Sequence, residues 1–341
     1  MHTVARFTLA CFTAFLFIST AGVWAYEPPK EAPADWGPIS STMEEVPYPF
    51  PVSYLPIKNY GLDLRLAYMD VAPQGKANGQ TAMIFHGMNY AGLGYEPVIR
   101  ALIAEGFRVI AVDRIGYGRS SKPDMPYNLN VFVSNAKVLL DHLKISKAAI
   151  VGHSMGGMVA TRFAMIYPDT TTHVVMVNQI GMTDQRQGRP WTDLEDTYQR
   201  TLGTSYQSIL RNHSLYYPNG WKEDYLYWVK LQYGQTLTSE WPKLAKIRAW
   251  QQQILYFDPV VYDWQHIKTK ALVIGGAADR LSGDFSKAAR HVAESLQNAE
   301  LVLFDGVGHN PHFEIADKFN AELIRFLKSD PDVPANSNWK K

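Results

Sequence analysis

The sequence predicts an α/β protein with a mainly parallel sheet, on two observations. Short apolar runs alternate with amphipathic stretches at helical spacing, and the alternation breaks once, over a long aromatic-rich segment. Alternating strands and helices imply a sheet covered on both faces. The break implies an insertion too long to be a plain loop. Composition agrees: of 341 residues, 46% are hydrophobic and 19% charged, with 33 Lys+Arg against 32 Asp+Glu. A near-neutral balance argues against a nucleic-acid partner, which would call for a basic stripe to neutralise phosphates. Ample hydrophobicity with little net charge argues against disorder. One cysteine, Cys11, leaves no disulfide scaffold and no zinc site of several thiolates.

The elements follow in chain order. Residues 1–25 carry one basic residue, Arg6, no acid, and an apolar run from Phe7 to about Ile18. Val23 and Ala25 then stand at the −3 and −1 positions of a cleavage site. This reads as a secretory signal peptide cut after Ala25, for a periplasmic or secreted protein without stable membrane insertion once the leader is gone. The competing reading is an uncleaved anchor, against which the polar interruptions Thr8, Thr13, Ser19 and Thr20 count. Residues 26–54 are proline-rich and read as an extended arm. A hairpin through Tyr60-Gly61 opens the globular pattern near Leu55, and Leu62, Leu64, Leu66 and Tyr68 alternate after it.

Buried-type strands then recur at Thr81–His86, Phe107–Asp113, Ala148–His153, Val174–Gln179, Ala271–Gly275 and Leu301–Phe304. Helical stretches lie at about Tyr95–Glu105, Val131–Leu143, Met155–Tyr167, Phe285–Leu296 and Phe313–Leu327. The core thus reads as residues 55–182 and 267–329. Between them, residues 183–266 hold six of the nine tryptophans and should form a helical cap, most of its rings packing as core and some lining a pocket. The polar end, 330–341, should fray.

Gly152-His153-Ser154-Met155-Gly156-Gly157 lies between an apolar strand and an amphipathic helix, the context of a nucleophile elbow. So tight a turn needs small residues two before and two after the serine, which Gly152 and Gly156 supply. A serine hydroxyl is a weak nucleophile unless a base held by an acid activates it. The loop after the last strand offers His309, with His312 as competitor near the next helix. The strand Ala271–Gly275 delivers Asp279 to the carboxyl edge of the sheet, where catalytic groups gather; Asp284, read as a helix N-cap, and Asp305 are alternatives. The amides of Met155, at a helix N-terminus, and Met88, after His86-Gly87, would hold an oxyanion. Gly87 lets the backbone approach closely, and His86 reads as a brace for that loop. No H-E-x-x-H motif marks a metal site. Gly116-x-Gly118 lacks the third glycine of a dinucleotide fingerprint, so neither metal nor cofactor is expected.

With these motifs in place, the chain resembles the α/β-hydrolase superfamily, in particular capped serine hydrolases with His-Gly after the third strand and Gly-His-Ser-Met-Gly-Gly at the elbow. The likeness includes Asp113-Arg114-Ile115-Gly116-Tyr117-Gly118-Arg119-Ser120 and runs from Leu55 to Leu327. It implies an eight-stranded, mostly parallel sheet with a helical cap after the sixth strand. It also sets the chain apart from relatives that attack with aspartate at the elbow, so acyl transfer to Ser154 is the expected chemistry. The leading expectation is hydrolysis of a carboxylic ester or lactone of a small apolar substrate. Carbon–carbon hydrolysis of ring-fission diketones, a perhydrolase side activity and a non-catalytic binder of hydrophobic ligands are the alternatives. The oligomeric state is not legible.

Overall fold

The computed structural model describes residues 26–281 and 283–340, so the expected leader, with Cys11, lies outside the described residues. In chain order the elements are β1 (Val52–Asn59), β2 (Leu62–Val71), β3 (Thr81–Phe85), α1 (Glu96–Ala104), β4 (Arg108–Asp113) and α2 (Leu129–His142). Then come β5 (Ala148–His153), α3 (Met155–Ile166), β6 (Thr171–Val177), α4 (Leu194–Leu202), α5 (Tyr206–Ser214), α6 (Leu226–Thr236) and α7 (Trp241–Phe257). The chain continues through β7 (Lys270–Gly276), α8 (Phe285–Ser295), β8 (Ala299–Phe304), α9 (Pro311–Glu314) and α10 (Ala316–Leu327).

The strands form one eight-stranded sheet in the order β1-β2-β4-β3-β5-β6-β7-β8. The β1–β2 and β2–β4 pairings are antiparallel and the others parallel. The β1–β2 turn holds Tyr60 and Gly61 at φ 49° and 80°, the left-handed pair that a two-residue hairpin needs to match strand twist. Central strands are apolar on both sides because helices cover both faces. Ile110, Ile150, Val174 and Val273 pack beneath α2, α3 and α8. Val109, Val151, Val175 and Ile274 pack against α1 and α10.

Between β6 and β7 the chain leaves the sheet to build α4 to α7. Here most aromatics are packing. Tyr217 stacks on Tyr225 at 3.7 Å, Trp228 packs on Tyr90 and Phe313, and Trp264 is buried in the main core.

Two terminal segments do more than their composition suggests. Residues 27–51 form no helix or strand, as expected for so many prolines, yet they are fastened along their length. Tyr206 Oη donates to Pro29 O, Ile39 N–H to Gly234 O and Ser41 N–H to Glu240, all in the cap. Ile39, Met43 and Val46 bury their side chains against Trp228 and Leu231. Further on, Tyr48 Oη donates to Asp113 Oδ2 at 2.7 Å, joining the arm to the end of β4. At the other terminus, which composition suggested would fray, Trp339 Nε1–H donates to Ala299 O on β8, and Asp330 O accepts from Lys270.

Candidate active site

A parallel sheet places the carboxyl ends of neighbouring strands side by side. Four adjacent strands therefore deliver Ser154 after β5, Asn178 after β6, Asp279 after β7 and His309 after β8. On the other side of β5, β3 ends at His86-Gly87-Met88 and β4 at Asp113-Arg114.

At the elbow Ser154 sits at φ 56° and ψ −121°, a sparsely populated conformation that costs on the order of 1–3 kcal/mol and persists only where the surroundings enforce it. Its N–H donates to Val177 O at 2.9 Å, and its carbonyl accepts from Gly157 N–H as α3 begins. The two glycines leave no choice. A Cβ on Gly152 would lie 2.0 Å from Gly156 O, and one on Gly156 would lie 2.2 Å from Phe85 O. Met155 is the first residue of α3, so its amide has no intrahelical acceptor. Gly87 brings the loop after β3 against the serine: a Cβ there would meet Ser154 Cβ at 3.2 Å and His153 Nδ1 at 3.2 Å.

His309 Nδ1 and Asp279 Oδ2 are 2.6 Å apart, with both side chains essentially unexposed. Asp279 also accepts from Asn178 Nδ2 at 2.9 Å and from Leu281 N–H at 2.9 Å. Burial alone would raise its pKa. The His309 charge and these hydrogen bonds outweigh burial and hold the carboxyl below its ordinary value. The loop bearing His309 is fixed by Glu314, whose carboxylate accepts from Gly308 N–H and Asn310 N–H, and by His309 N–H donating to Tyr216 O in the cap. There is no spare room, since a Cβ on Gly308 would lie 2.0 Å from Tyr216 O.

The competitors fall elsewhere. His312 is buried inside α9, stacked on Tyr95 at 4.9 Å, with both ring nitrogens unpartnered; burial pulls its pKa down to about 3. Asp284 caps α8 by accepting from Lys287 N–H. Asp305 is exposed in the turn after β8. His86 braces its own loop: Nδ1 meets Gly87 O at 2.7 Å and Nε2 accepts from Arg114 N–H. Among the described residues no group of three or more His, Cys, Asp or Glu converges as a metal site would.

Sequence reasoning did not single out several residues that build this site. Asn178, at φ 39°, ties Asp279 to Gly276 N–H. Arg114 is buried beneath the loop after β3, where its guanidinium donates to His86 O and Gly87 O and lies 4.5 Å over the Tyr117 ring. Its signal was the Asp113–Ser120 stretch, which entered only as part of the resemblance. Tyr216, whose ring centroid is 5.1 Å from that of His309, accepts at its hydroxyl from Asn89 at 2.6 Å and from Asn212. No pattern within α5 or after it marked that residue.

A cavity of about 670 Å³ opens above Met88 and Asn89, between the cap helices and this loop. Ser154 and His309 are only 4% and 1% exposed and do not line it, and the cap residue Tyr216 packs on His309. The cavity wall is mixed, with a few of the cap's rings and apolar side chains alternating with polar and basic ones. Of the cap's rings only Trp191 and Tyr256 reach it, while Arg189, Arg200 and Arg248 do, with no acidic residue among the described lining. Most of the cap's other rings are spent on packing.

Comparison with known proteins agrees with the architecture. The chain is 32% identical to a probable hydrolytic enzyme from Pseudomonas aeruginosa PAO1 of known crystal structure, with a TM-score of 0.84 over 86% of this chain and 99% of that one. It also shares the fold of the enol-lactonase from Burkholderia xenovorans LB400, at TM-score 0.62 and 21% identity over 78% of this chain and 97% of that one. Over 127 residues it is 32% identical to epoxide hydrolase 4 of Mus musculus, covering 37% of this chain and 34% of that protein. The model of the alpha/beta hydrolase family matches residues 83–322. With its sheet, elbow and cap in that arrangement, the chain belongs to the alpha/beta hydrolase family.

Proposed function

We propose that this hydrolase is a serine enzyme that cleaves a carboxylic ester or lactone of a small substrate through an acyl-enzyme. The observation that carries the reading is the buried Asp279–His309 pair, held at 2.6 Å on the same edge of the sheet as an elbow serine in a strained conformation. Ser154 Oγ attacks the carbonyl carbon while His309 Nε2 takes its proton, and Asp279 holds the imidazole and stabilises its charged form. The amides of Met88 and Met155 receive the developing oxyanion. Collapse expels the alcohol, protonated by His309. Water, activated by the same histidine, then releases the acid.

The same proposal puts the mature enzyme outside the cytoplasm, a reading supported by the single basic residue and apolar run of residues 1–25. A fluorophosphonate probe tests the reading. It should label wild-type protein at Ser154, and Ser154→Ala should lose both labelling and turnover of a short p-nitrophenyl ester. A folded wild-type protein that takes no label, or an alanine variant that still turns over ester, refutes it.

A further inference from the structure

Below the large cavity lies a smaller one of about 50 Å³, on the seam between α7 and the core. It has room for a carboxylate-sized group rather than a chain. Three α7 side chains line it, Leu244 and, three residues apart and so on one face of the helix, the polar Arg248 and Gln251. The buried Lys122, whose ammonium donates to three backbone carbonyls, lines it from the core. Asn89 and Met88, from the loop after β3, line the same space.

Neither polar α7 side chain is fully satisfied by the protein. Gln251 is 0% exposed, and both its amide nitrogen and its amide oxygen lack a hydrogen-bond partner. It abuts Gly116, where a Cβ would lie 2.3 Å from its nitrogen. Buried amides are ordinarily paired, so an orphan facing a cavity marks a place where a ligand or water completes the bonding. Arg248 makes one hydrogen bond, to Gln235 Oε1 at 2.6 Å, and lies over the Trp241 ring at 5.2 Å. It forms no ion pair among the described residues, although it is partly buried. Burial lowers its pKa to about 10, which still leaves it charged at neutral pH. Arg189 and Arg200 lie around the wider cavity above it, and no carboxylate lines either space among the described residues. A half-buried cation without a counter-ion, beside an unpaired amide, is complementary to an anion.

We propose that Arg248 and Gln251 form a carboxylate-binding subsite beside the oxyanion loop, so that the preferred substrate is an ester or lactone bearing a carboxylate. The guanidinium meets the carboxylate through its planar fork, and the Gln251 amide supplies a further donor. Substrate is thereby held by its charged end while its carbonyl lies toward Met88. This deepens the proposed function and rests on Ser154 as nucleophile, but the subsite can be read separately from the chemistry.

Two p-nitrophenyl esters of matched length serve as probes, the monoester of glutaric acid and the neutral ester of valeric acid. Wild-type kcat/KM should favour the glutarate ester by about tenfold or more. Arg248→Met should abolish the preference, Arg248→Lys should retain part of it, and Gln251→Leu should narrow it. An equal preference in wild type and Arg248→Met, or none in wild type, overturns the subsite. Calorimetric titration of free glutarate supplies the second readout. Binding by wild type that Arg248→Met loses supports the subsite even if Ser154 resists the fluorophosphonate and the esterase reading falls. Absence of binding by wild type, with labelling intact, overturns the subsite and leaves that reading standing.

Discussion

Asp279 Oδ2 lies 2.6 Å from His309 Nδ1, and the same oxygen accepts a second hydrogen bond from Asn178 Nδ2. The carboxylate is therefore pinned from two strand ends before it orients the ring. Asp279→Asn preserves the shape but removes the charge and the preference for an Nδ1–H tautomer. It should lower kcat by roughly 10³–10⁴-fold, with KM changing much less. Steady-state kinetics with a short ester measure it, and a loss below tenfold would remove Asp279 from the relay.

The elbow glycines predict a graded series. Gly156→Ala drives a methyl to 2.2 Å from a backbone oxygen, which cannot rotate away, so soluble folded protein should be absent. Gly87→Ala meets its neighbours at 3.2–3.3 Å, a tighter contact than normal but one that small shifts relieve. That variant should fold with a native circular dichroism spectrum and label Ser154 at least about fivefold more slowly, because the methyl presses on the serine itself.

Tyr48→Phe isolates one hydrogen bond between the arm and the sheet. Asp113 also accepts from Gly92 N–H at 2.7 Å and Arg119 N–H at 2.8 Å, so it stays partly satisfied without the phenol. A hydrogen bond to a charged acceptor contributes about 1.5–3 kcal/mol, and the loss should fall near the lower end. Urea denaturation measures the difference.

Acid sensitivity should come from histidines held neutral. Burial is the largest cause in each, and it lowers His173 to about 4 and His213 and His312 to about 3, with His86 and His153 also depressed. These groups bind protons in the unfolded chain near pH 6.5 but resist them in the fold. Their stabilising effect is present above that pH, declines as pH falls, and levels off below the folded values. Tm should fall steadily between about pH 6.5 and pH 3, each group adding up to ~1.4 kcal/mol per pH unit. His312→Leu, which removes two unpartnered buried nitrogens, should flatten the profile measured by differential scanning calorimetry.

Local patterns made the fold and much of the site legible. The elbow is specified within six residues, because its glycines stand two positions before and two after the serine, where so tight a turn leaves no room for a side chain. Asp279 and His309 were findable because each follows an apolar strand, and a parallel sheet brings such ends together. What stayed hidden depends on distant pairings. Asn178 touches a residue 101 positions on, and Glu314 matters only because the chain doubles back over Gly308. The helix over 313–327 was expected as one piece, but it breaks at Ile315, whose φ of −140° lies outside the helical range. Arg248 and Gln251 sit in α7 among apolar and polar residues alike, and only the docked cap shows which face they present.

The proline arm has a consequence for the order in which the molecule is assembled. Ser41 reaches Glu240 across 199 residues, and Tyr206 reaches back to Pro29 across 177. A chain made from its N-terminus exposes Ile39, Met43 and Val46 long before their partners in α6 exist. Contacts so remote in sequence carry a large loop-closure penalty until the intervening sheet has condensed. The first described segment to be synthesised is thus among the last that can settle. Until it does, its apolar side chains are exposed to chaperones, proteases and other unfinished chains.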